Sequence, residues 1–297
     1  MLNINAATPR AIVGIVTRDR VSLLTRSIES ASAQDCPNVE IWIINDGSID
    51  GTAALATRFP TVKWTDWPTS RGYIAARNQF IAESEAEYFV SLDDDAWFIR
   101  GDEVRTGISF LDSHPNVAVV GFDILSPDRP QQNERDQARP APVFIGCGHI
   151  LRLAALRHVG SYVSAPGSYG GEEKDLALRL MDAGHQVVTL PGVHVWHDKS
   201  ELARNIPEQH SSGVCNDFAM TVRRTPLVVL PFALIAKLYR HFRFARSHGL
   251  EVPFRHGLKL FSKSLREIWK TRNPVRFATS RAYLKLSQGE GPTSDER

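Results

Sequence analysis

The sequence predicts an α/β fold with a largely parallel sheet, and three observations carry that prediction. Short apolar runs, Ala11–Val16, Val39–Ile44 and Glu87–Leu92, alternate with segments of helical periodicity. Turn formers close these runs, most plainly Asn45-Asp46-Gly47-Ser48. Arg18, Asp19, Asp46 and the acidic run Asp93-Asp94-Asp95 all fall at the carboxyl ends of the runs, where open sheets bind ligands.

Ala11–Val16 reads as a buried strand, followed by a helix over Val21–Ala33 with Leu24, Ile28 and Ala31 on one face and Ser22 or Asp19 as its cap. Val39–Ile44 is the second strand. A helix over Thr52–Arg58, a short strand at Thr61–Trp64 and a helix over Ile74–Ser84 lead to the strand Glu87–Leu92. A helix at Val104–Ser113 and a strand at Val117–Gly121 come next. Ser126–Pro142, rich in Pro, Gln, Asp and Arg, reads as a loop. After the Gly-rich turn Phe144–His149 come a helix at Leu153–Val159, an amphipathic run Leu176–Ala183 and a strand Gln186–Leu190 that leads to His197.

The chain has 297 residues, 42% apolar and 23% charged, which is an ordinary globular composition. Cys36, Cys147 and Cys215 are far apart and lack metal-ligand spacing, so neither a disulfide framework nor a zinc site is indicated, and a reducing cytoplasm fits. No basic segment followed by a long apolar core stands at the N-terminus, so no export signal is expected. The net charge of +2 hides a strong polarity. Between Thr221 and Lys285, fifteen Lys and Arg face only Glu251 and Glu267, leaving this stretch at roughly +13 and the remainder near −11.

That basic stretch reads as a helical C-terminal extension. Leu227–Ala236 is apolar but too short to cross a bilayer. Leu258, Phe261, Leu265, Ile268 and Trp269 share one helical face, opposite Lys259, Lys263, Arg266 and Lys270. Such a helix suits an anionic membrane surface, or else packs on the rest of the chain with its cations in water. Nucleic acid is disfavoured by the acidic remainder.

Three adjacent carboxylates at a strand end repel one another and call for a cation. A divalent metal such as Mg2+ or Mn2+ takes oxygen ligands and bridges carboxylates to a substrate's phosphates, so Asp-x-Asp here points to a phosphorylated ligand. The alternative is a solvated acidic turn.

The order of these segments resembles glycosyltransferase family 2, with its GT-A fold. The resemblance runs from about Ile12 to His197. It rests on Val16-Thr17-Arg18-Asp19-Arg20, Asn45-Asp46-Gly47-Ser48-Ile49-Asp50-Gly51-Thr52, Arg71-Gly72 with Ala75-Ala76-Arg77-Asn78, Asp93 to Asp95, Gly146-Cys147-Gly148, Glu172-Glu173 with Asp175, and His197. It implies a doubly wound, mostly parallel sheet with helices on both faces: a GT-A catalytic domain over residues 1–220, with a nucleotide-sugar half to about 110 and an acceptor half beyond it. Residues 221–297 form the basic extension.

The implied activity is transfer of a sugar, with inversion, from a nucleoside-diphosphate sugar to a glycan or lipid-linked acceptor. The implied setting is bacterial surface polysaccharide synthesis at the inner face of the plasma membrane. The donor is a UDP-sugar by default and the cofactor Mn2+ or Mg2+. Donor contacts are implied for Thr17, Arg18, Asp19, Asp46, Arg77, Asp93 and Asp94, and metal ligation for Asp95, Asp93 and His197. His197 reads alternatively as a packed, hydrogen-bonded histidine, and His149 as structural. Glu173 or Glu172 is the implied base, at a position where both acids also complement the positive end of a helix dipole. Asp175 supports them, within reach of Arg179 one turn on.

Two other classes share parts of this pattern. A sugar-1-phosphate nucleotidyltransferase carries a Gly-rich loop after its first strand, whereas Thr17-Arg18-Asp19-Arg20 has no glycine. A catalytically silent nucleotide-sugar-binding subunit would bind nucleotide without transfer.

Overall fold

The computed structural model describes residues 8–130, 137–199 and 205–289. The chain forms two compact units. The first comprises Met1–Pro140, Phe144–Ser161 and His185–Leu202, the second Ala141–Val143, Tyr162–Gly184 and Ala203–Arg297.

In chain order the first unit contains β1 (Ala11–Thr17), α1 (Val21–Ser32), β2 (Val39–Asp46) and a 3-10 turn (Gly51–Ala54) that runs into α2 (Leu55–Arg58). Then come β3 (Lys63–Trp67), α3 (Tyr73–Glu83), β4 (Tyr88–Asp93), β5 (Ala96–Phe98) and α4 (Glu103–Ser113). It continues with β6 (Val117–Leu125), β7 (Arg139–Pro140), β8 (Gly148–Arg152) and α5 (Leu153–Val159), and closes with β9 (Gln186–His197). The strands form one sheet in the order β3-β2-β1-β4-β8-β6-β9-β5, with β7 paired to β9. β1 to β4 are parallel, and β6 and β9 continue their direction, while β8, β5 and β7 run against it. The sheet is therefore mostly parallel, as the alternation predicts.

Both faces of its central strands are covered, which is why β1 and β4 read as continuous apolar runs. Val13 and Ile15 of β1 and Val90 and Leu92 of β4 join Leu24 and Ile28 of α1 and Val104, Ile108 and Leu111 of α4 in one core. Burying each such side chain contributes about 1.5–3 kcal/mol. On the other face, α3 comes so close to β1 that a Cβ on Gly14 would meet the Phe80 and Phe89 rings at 2.7 and 2.6 Å.

The departures from the sequence reading have local causes. α1 is capped neither by Ser22 nor by Asp19: its first amide, that of Val21, donates to Asp50 across the sheet edge. β3 runs past Trp64 to Trp67 because pairing with β2 carries it to a buried Trp67 ring. β5 and β7, of three and two residues, are too short to show a period. β9 continues through Pro191-Gly192, because its register against β6 jumps between Phe122↔Leu190 and Asp123↔His194. The extra residues bulge, and the strand resumes to deliver His197. Residues 131–136 of the expected loop lie outside the described residues.

The second unit is helical: α6 (Glu172–Asp182), α7 (Ile206–Arg224), α8 (Leu230–His248), α9 (Glu251–Lys270) and α10 (Phe277–Gly289). α7 runs unbroken across residue 220, with Asn205 accepting the Glu208 amide at its start. Val214 and Phe218 of α7 pack with Ala245 of α8 and Phe254 of α9. α7 and α9 touch so closely that a Cβ on Gly257 would sit 2.5 Å from the Ser211 carbonyl oxygen. The sequence predicts one amphipathic helix near 258–270. Within α9, Ile268 of its apolar face is buried, while Leu265 and Trp269 stay 40% and 51% exposed.

Candidate active site

The carboxyl ends of β1 and β2 meet in a hydrogen-bonded loop system. Asp19 takes a left-handed conformation, with φ 53°. Its amide donates to Ser48 Oγ at 3.0 Å, and its Oδ1 accepts the Ile49 amide at 2.8 Å. Arg18 beside it projects largely into solvent. Asn45 Oδ1 accepts the Ser48 amide, and its Nδ2 donates to Asp66 Oδ1 at 2.7 Å. Gly47 is required: its φ is +73°, and a Cβ would lie 2.7 Å from the Ser70 nitrogen.

Asp46, expected at the nucleoside, is only 4% exposed. Its oxygens accept the Ser70 hydroxyl at 2.7 Å, the Arg71 amide at 2.6 Å and the Gly72 amide at 3.1 Å. The carboxylate thus clamps the turn that opens α3, the helix that carries Arg77.

The acidic run lies at the end of β4, and three protein cations stand against it. Arg77 is buried, and its Nη2 donates to Asp93 Oδ1 at 3.0 Å and to the Gly146 carbonyl at 3.1 Å. Arg20 Nη1 lies 2.8 Å from Asp94 Oδ1 and 3.4 Å from Asp95 Oδ2. His197 Nε2 lies 3.2 Å from Asp95 Oδ1. The compensation that the triplet demands is therefore partly supplied by the protein itself.

The three carboxylates differ. Asp94 is buried, and Thr17 Oγ donates to its Oδ2 at 2.9 Å, so these two residues expected at the donor face one another. Burial pushes the Asp94 carboxyl up to about 6 against the opposing pull of Arg20. Asp95 is almost fully buried between Arg20 and His197. Asp93 is the accessible member, with its side chain 37% exposed.

Close by is a donor that sequence reasoning missed. Asp93, Cys147 and His197 place a carboxylate oxygen, Sγ and a ring nitrogen within 4.8 Å of one another. Linear spacing hides this set, because its members come from the end of β4, the turn just before β8 and the end of β9. The faint signal was a cysteine inside a Gly-rich turn. For His197, burial would lower the imidazole, but the hydrogen bonds to Asp95 and Cys147 and the charge of Asp93 outweigh it and raise the ring to about 10. Burial raises the Cys147 thiol, partly offset by His197. Once the imidazole gives up its proton, the mixed O, N and S set can take a divalent first-row cation, the imidazole and thiol suiting a softer ion better than Mg2+. His149, by contrast, is fully buried, with Nδ1 2.9 Å from the Ile145 carbonyl and its ring 4.6 Å from Phe144. It is structural.

Within the helical unit, Glu172, Glu173 and Asp175 occupy the first turn of α6, entered through Gly171 at φ 97° with no side-chain cap. Glu172 is 4% exposed, whereas Glu173 is half-buried. Asp175 is held by Arg179 Nε at 2.8 Å, the expected partner one turn on, and by Arg224 Nε at 2.6 Å.

Comparisons with known proteins agree with this layout. EpsE of Bacillus subtilis (strain 168) is 27% identical over 188 residues, 58% of this chain and 66% of EpsE. The succinoglycan biosynthesis protein ExoO of Rhizobium meliloti (strain 1021) is 33% identical over 108 residues, covering 35% of this chain and 31% of ExoO. Among solved structures, S. aureus TarS 1-349 in complex with UDP-GlcNAc superposes with a TM-score of 0.64 at 16% identity, covering 89% of this chain and 82% of that one. The mannosyltransferase PcManGT from Pyrobaculum calidifontis, in complex with GDP-Man and Mn2+, gives 0.59 at 17% identity, over 96% and 89%. These likenesses establish the GT-A fold. The chain spans about a third to two thirds of the length of these curated relatives, and the profile of Glycosyl transferase family 2 matches its residues 12–163, so it belongs to that family.

Proposed function

We propose that this protein is a metal-dependent, inverting glycosyltransferase. It moves a sugar from a nucleoside-diphosphate sugar, by default a UDP-sugar, to a hydroxyl of a glycan or lipid-linked acceptor in surface polysaccharide synthesis. The observation that carries the reading is the convergence of Asp93, Asp95, Cys147 and His197 at the ends of β4, β8 and β9. The likeness to a mannosyltransferase solved with Mn2+, and to TarS solved with UDP-GlcNAc, supports the cation and donor classes.

Asp93, Asp95 and His197, with Cys147 beside them, would hold the cation. When bound there, Mn2+ or Mg2+ supplies Lewis-acid stabilisation of the charge that develops on the departing diphosphate. Arg77 orients Asp93, and Arg20 holds Asp94 and Asp95 in place. Arg18, Asp19 and Asp46 shape the loops proposed to receive the nucleoside. Glu173 is the proposed base, as the more accessible of the two glutamates that open α6. Its carboxylate takes the acceptor hydroxyl proton while that oxygen bonds to the anomeric carbon and the bond to the diphosphate oxygen breaks on the opposite face.

A panel of nucleoside diphosphates, each with and without Mn2+, tests the donor side, because a ligand that binds only the native state raises Tm. A Mn2+-dependent rise with one base is expected. No shift with any of them overturns the reading. A lipid-linked acceptor places the enzyme at the inner face of the plasma membrane as a peripheral protein. No helix among the described residues is long and apolar enough to cross a membrane.

A further inference from the structure

One face of α8 is unexplained by packing. Its inner line packs Leu230, Leu234 and Ala245 with α7 and α9, and sets Lys237 and His241 on Asp217 of α7. The opposite line, Val228 just ahead of the helix with Phe232, Ile235, Tyr239 and Phe242, repeats at three- and four-residue spacing. These five side chains are 81, 71, 66, 65 and 45% exposed. Exposed apolar residues are ordinary when scattered, but a continuous line of large ones marks an interaction surface.

Charge identifies the partner. Arg243 and Arg246 prolong the same line, both exposed, while Arg240 beside it reaches Asp217 of α7 at 3.6 Å. No carboxylate occurs anywhere between Asp217 and Glu251. We propose that this face of α8 lies flat on an anionic bilayer, its apolar line at the boundary of headgroups and acyl chains and its arginines on lipid phosphates. From Val228 to Phe242 the line is about 21 Å long at 1.5 Å per residue, enough to lie along a membrane and too short to span its core of about 30 Å. A second copy packed face to face through α8 fits less well, because it would present the same arginines and no carboxylate to receive them.

The inference deepens the proposed function, since it gives an enzyme for lipid-linked acceptors its means of reaching them. It also moves the membrane contact from the expected Leu258–Lys270 segment to α8, because part of the α9 apolar face is buried in its own unit.

Flotation of the full chain with vesicles tests it, using phosphatidylcholine alone and phosphatidylcholine with one-third phosphatidylglycerol. Binding is expected to the anionic vesicles, to weaken as salt rises, and to fall at least tenfold in the triple variant Phe232→Ser, Ile235→Ser, Tyr239→Ser, which spares Phe242 because its ring also packs on the buried Phe254. These side chains are exposed, so the variant should melt like the parent. If it does not fold, the pair Arg243→Glu, Arg246→Glu carries the test. Absence of binding to anionic vesicles, equal binding to both compositions, or binding unchanged in the variants overturns the proposal. So does a dimer in sedimentation equilibrium that the triple variant dissociates. The vesicles contain neither sugar nucleotide nor acceptor, so a negative result leaves sugar transfer to a soluble acceptor standing.

Discussion

Arg224 and Asp175 form a two-pronged pair inside the helical unit: Arg224 Nε lies 2.6 Å from Asp175 Oδ1, and Nη2 lies 3.2 Å from Oδ2. Both side chains are buried, and the pair ties the end of α7 to the first turn of α6. Without Arg224 the buried Asp175 keeps Arg179 alone, so the loss should fall at or below the lower end of the about 3–5 kcal/mol that a wholly stranded charge costs. Arg224→Ala should therefore lower the urea midpoint by that equivalent, and Arg224→Lys should recover only part, because an ammonium cannot reproduce the fork. A midpoint within about 0.5 kcal/mol of the parent, the range of ordinary surface substitutions, would remove this pair from the account of α6.

The same turn carries the two glutamates. Glu173→Gln should reduce kcat by about 10²–10⁴-fold, the usual worth of a general base, and leave Mn2+-dependent nucleotide binding unchanged. Glu172→Gln, at a buried position, should show instead as a loss of Tm. Full kcat in the Glu173 variant with loss in the Glu172 variant would reverse the assignment.

Much of the sheet was legible because a strand covered on both faces is apolar along most of its length, as β1 is from Ala11 to Val16 and β4 is at Tyr88–Val90 and Leu92. The loops after β1 and β2 were legible because their turns demand particular residues, Gly47 above all. Cys147 was not, since its partners Asp93 and His197 are 54 and 50 residues away and only the pairing of β4, β8, β6 and β9 unites them. Nor was the clamp that Asp46 sets on residues 70–72 visible in its motif, because residues 24 to 26 positions away supply the donors. α7 was hidden as well, because its buried face includes Ser211, Ser212, Asn216 and Thr221, which blur the apolar period.

The candidate cation site makes its own prediction. Asp95→Asn and His197→Ala should abolish the additional Tm rise that Mn2+ gives with a nucleoside diphosphate. Cys147→Ser should keep the response to Mg2+ and weaken that to Co2+, because a hydroxyl replaces a softer donor. Thiolate-to-cobalt absorption in the near ultraviolet, present in the parent and absent in Cys147→Ser, checks the sulfur contact without any turnover. If that absorption is missing in the parent as well, Cys147 lies outside the site.

Gly47→Ala tests the loop system. The substitution forces a side chain into φ +73° and sets a Cβ 2.7 Å from the Ser70 backbone nitrogen, beside the turn that Asp46 clamps. A loss of about 1–3 kcal/mol is expected from strain of this kind, with weakened nucleotide binding because the 70–72 turn must shift. Gly51→Ala is the control: its Cβ would meet nothing nearer than Val21 at 3.9 Å, so its melting temperature should stay close to that of the parent.

Stability should also fall in acid through His149. Burial, reinforced by the charge of Arg77, lowers its imidazole from 6.5 to about 3. Between those two values the unfolded chain binds a proton that the native protein refuses, so stability rises with pH across that window and is lost as pH falls from 6.5 toward 3. The native state holds the neutral ring with Nδ1 against the Ile145 carbonyl, the tautomer that donates there. A shift of this size corresponds to an upper limit of roughly 5 kcal/mol over the whole window. His149→Gln should flatten the acid limb of a plot of unfolding free energy against pH, at some cost in packing against Phe144 and Phe89 at every pH. An acid limb of unchanged slope in that variant would assign the loss to carboxylates, such as Asp217, whose acidity Lys174 and Lys237 enhance despite burial.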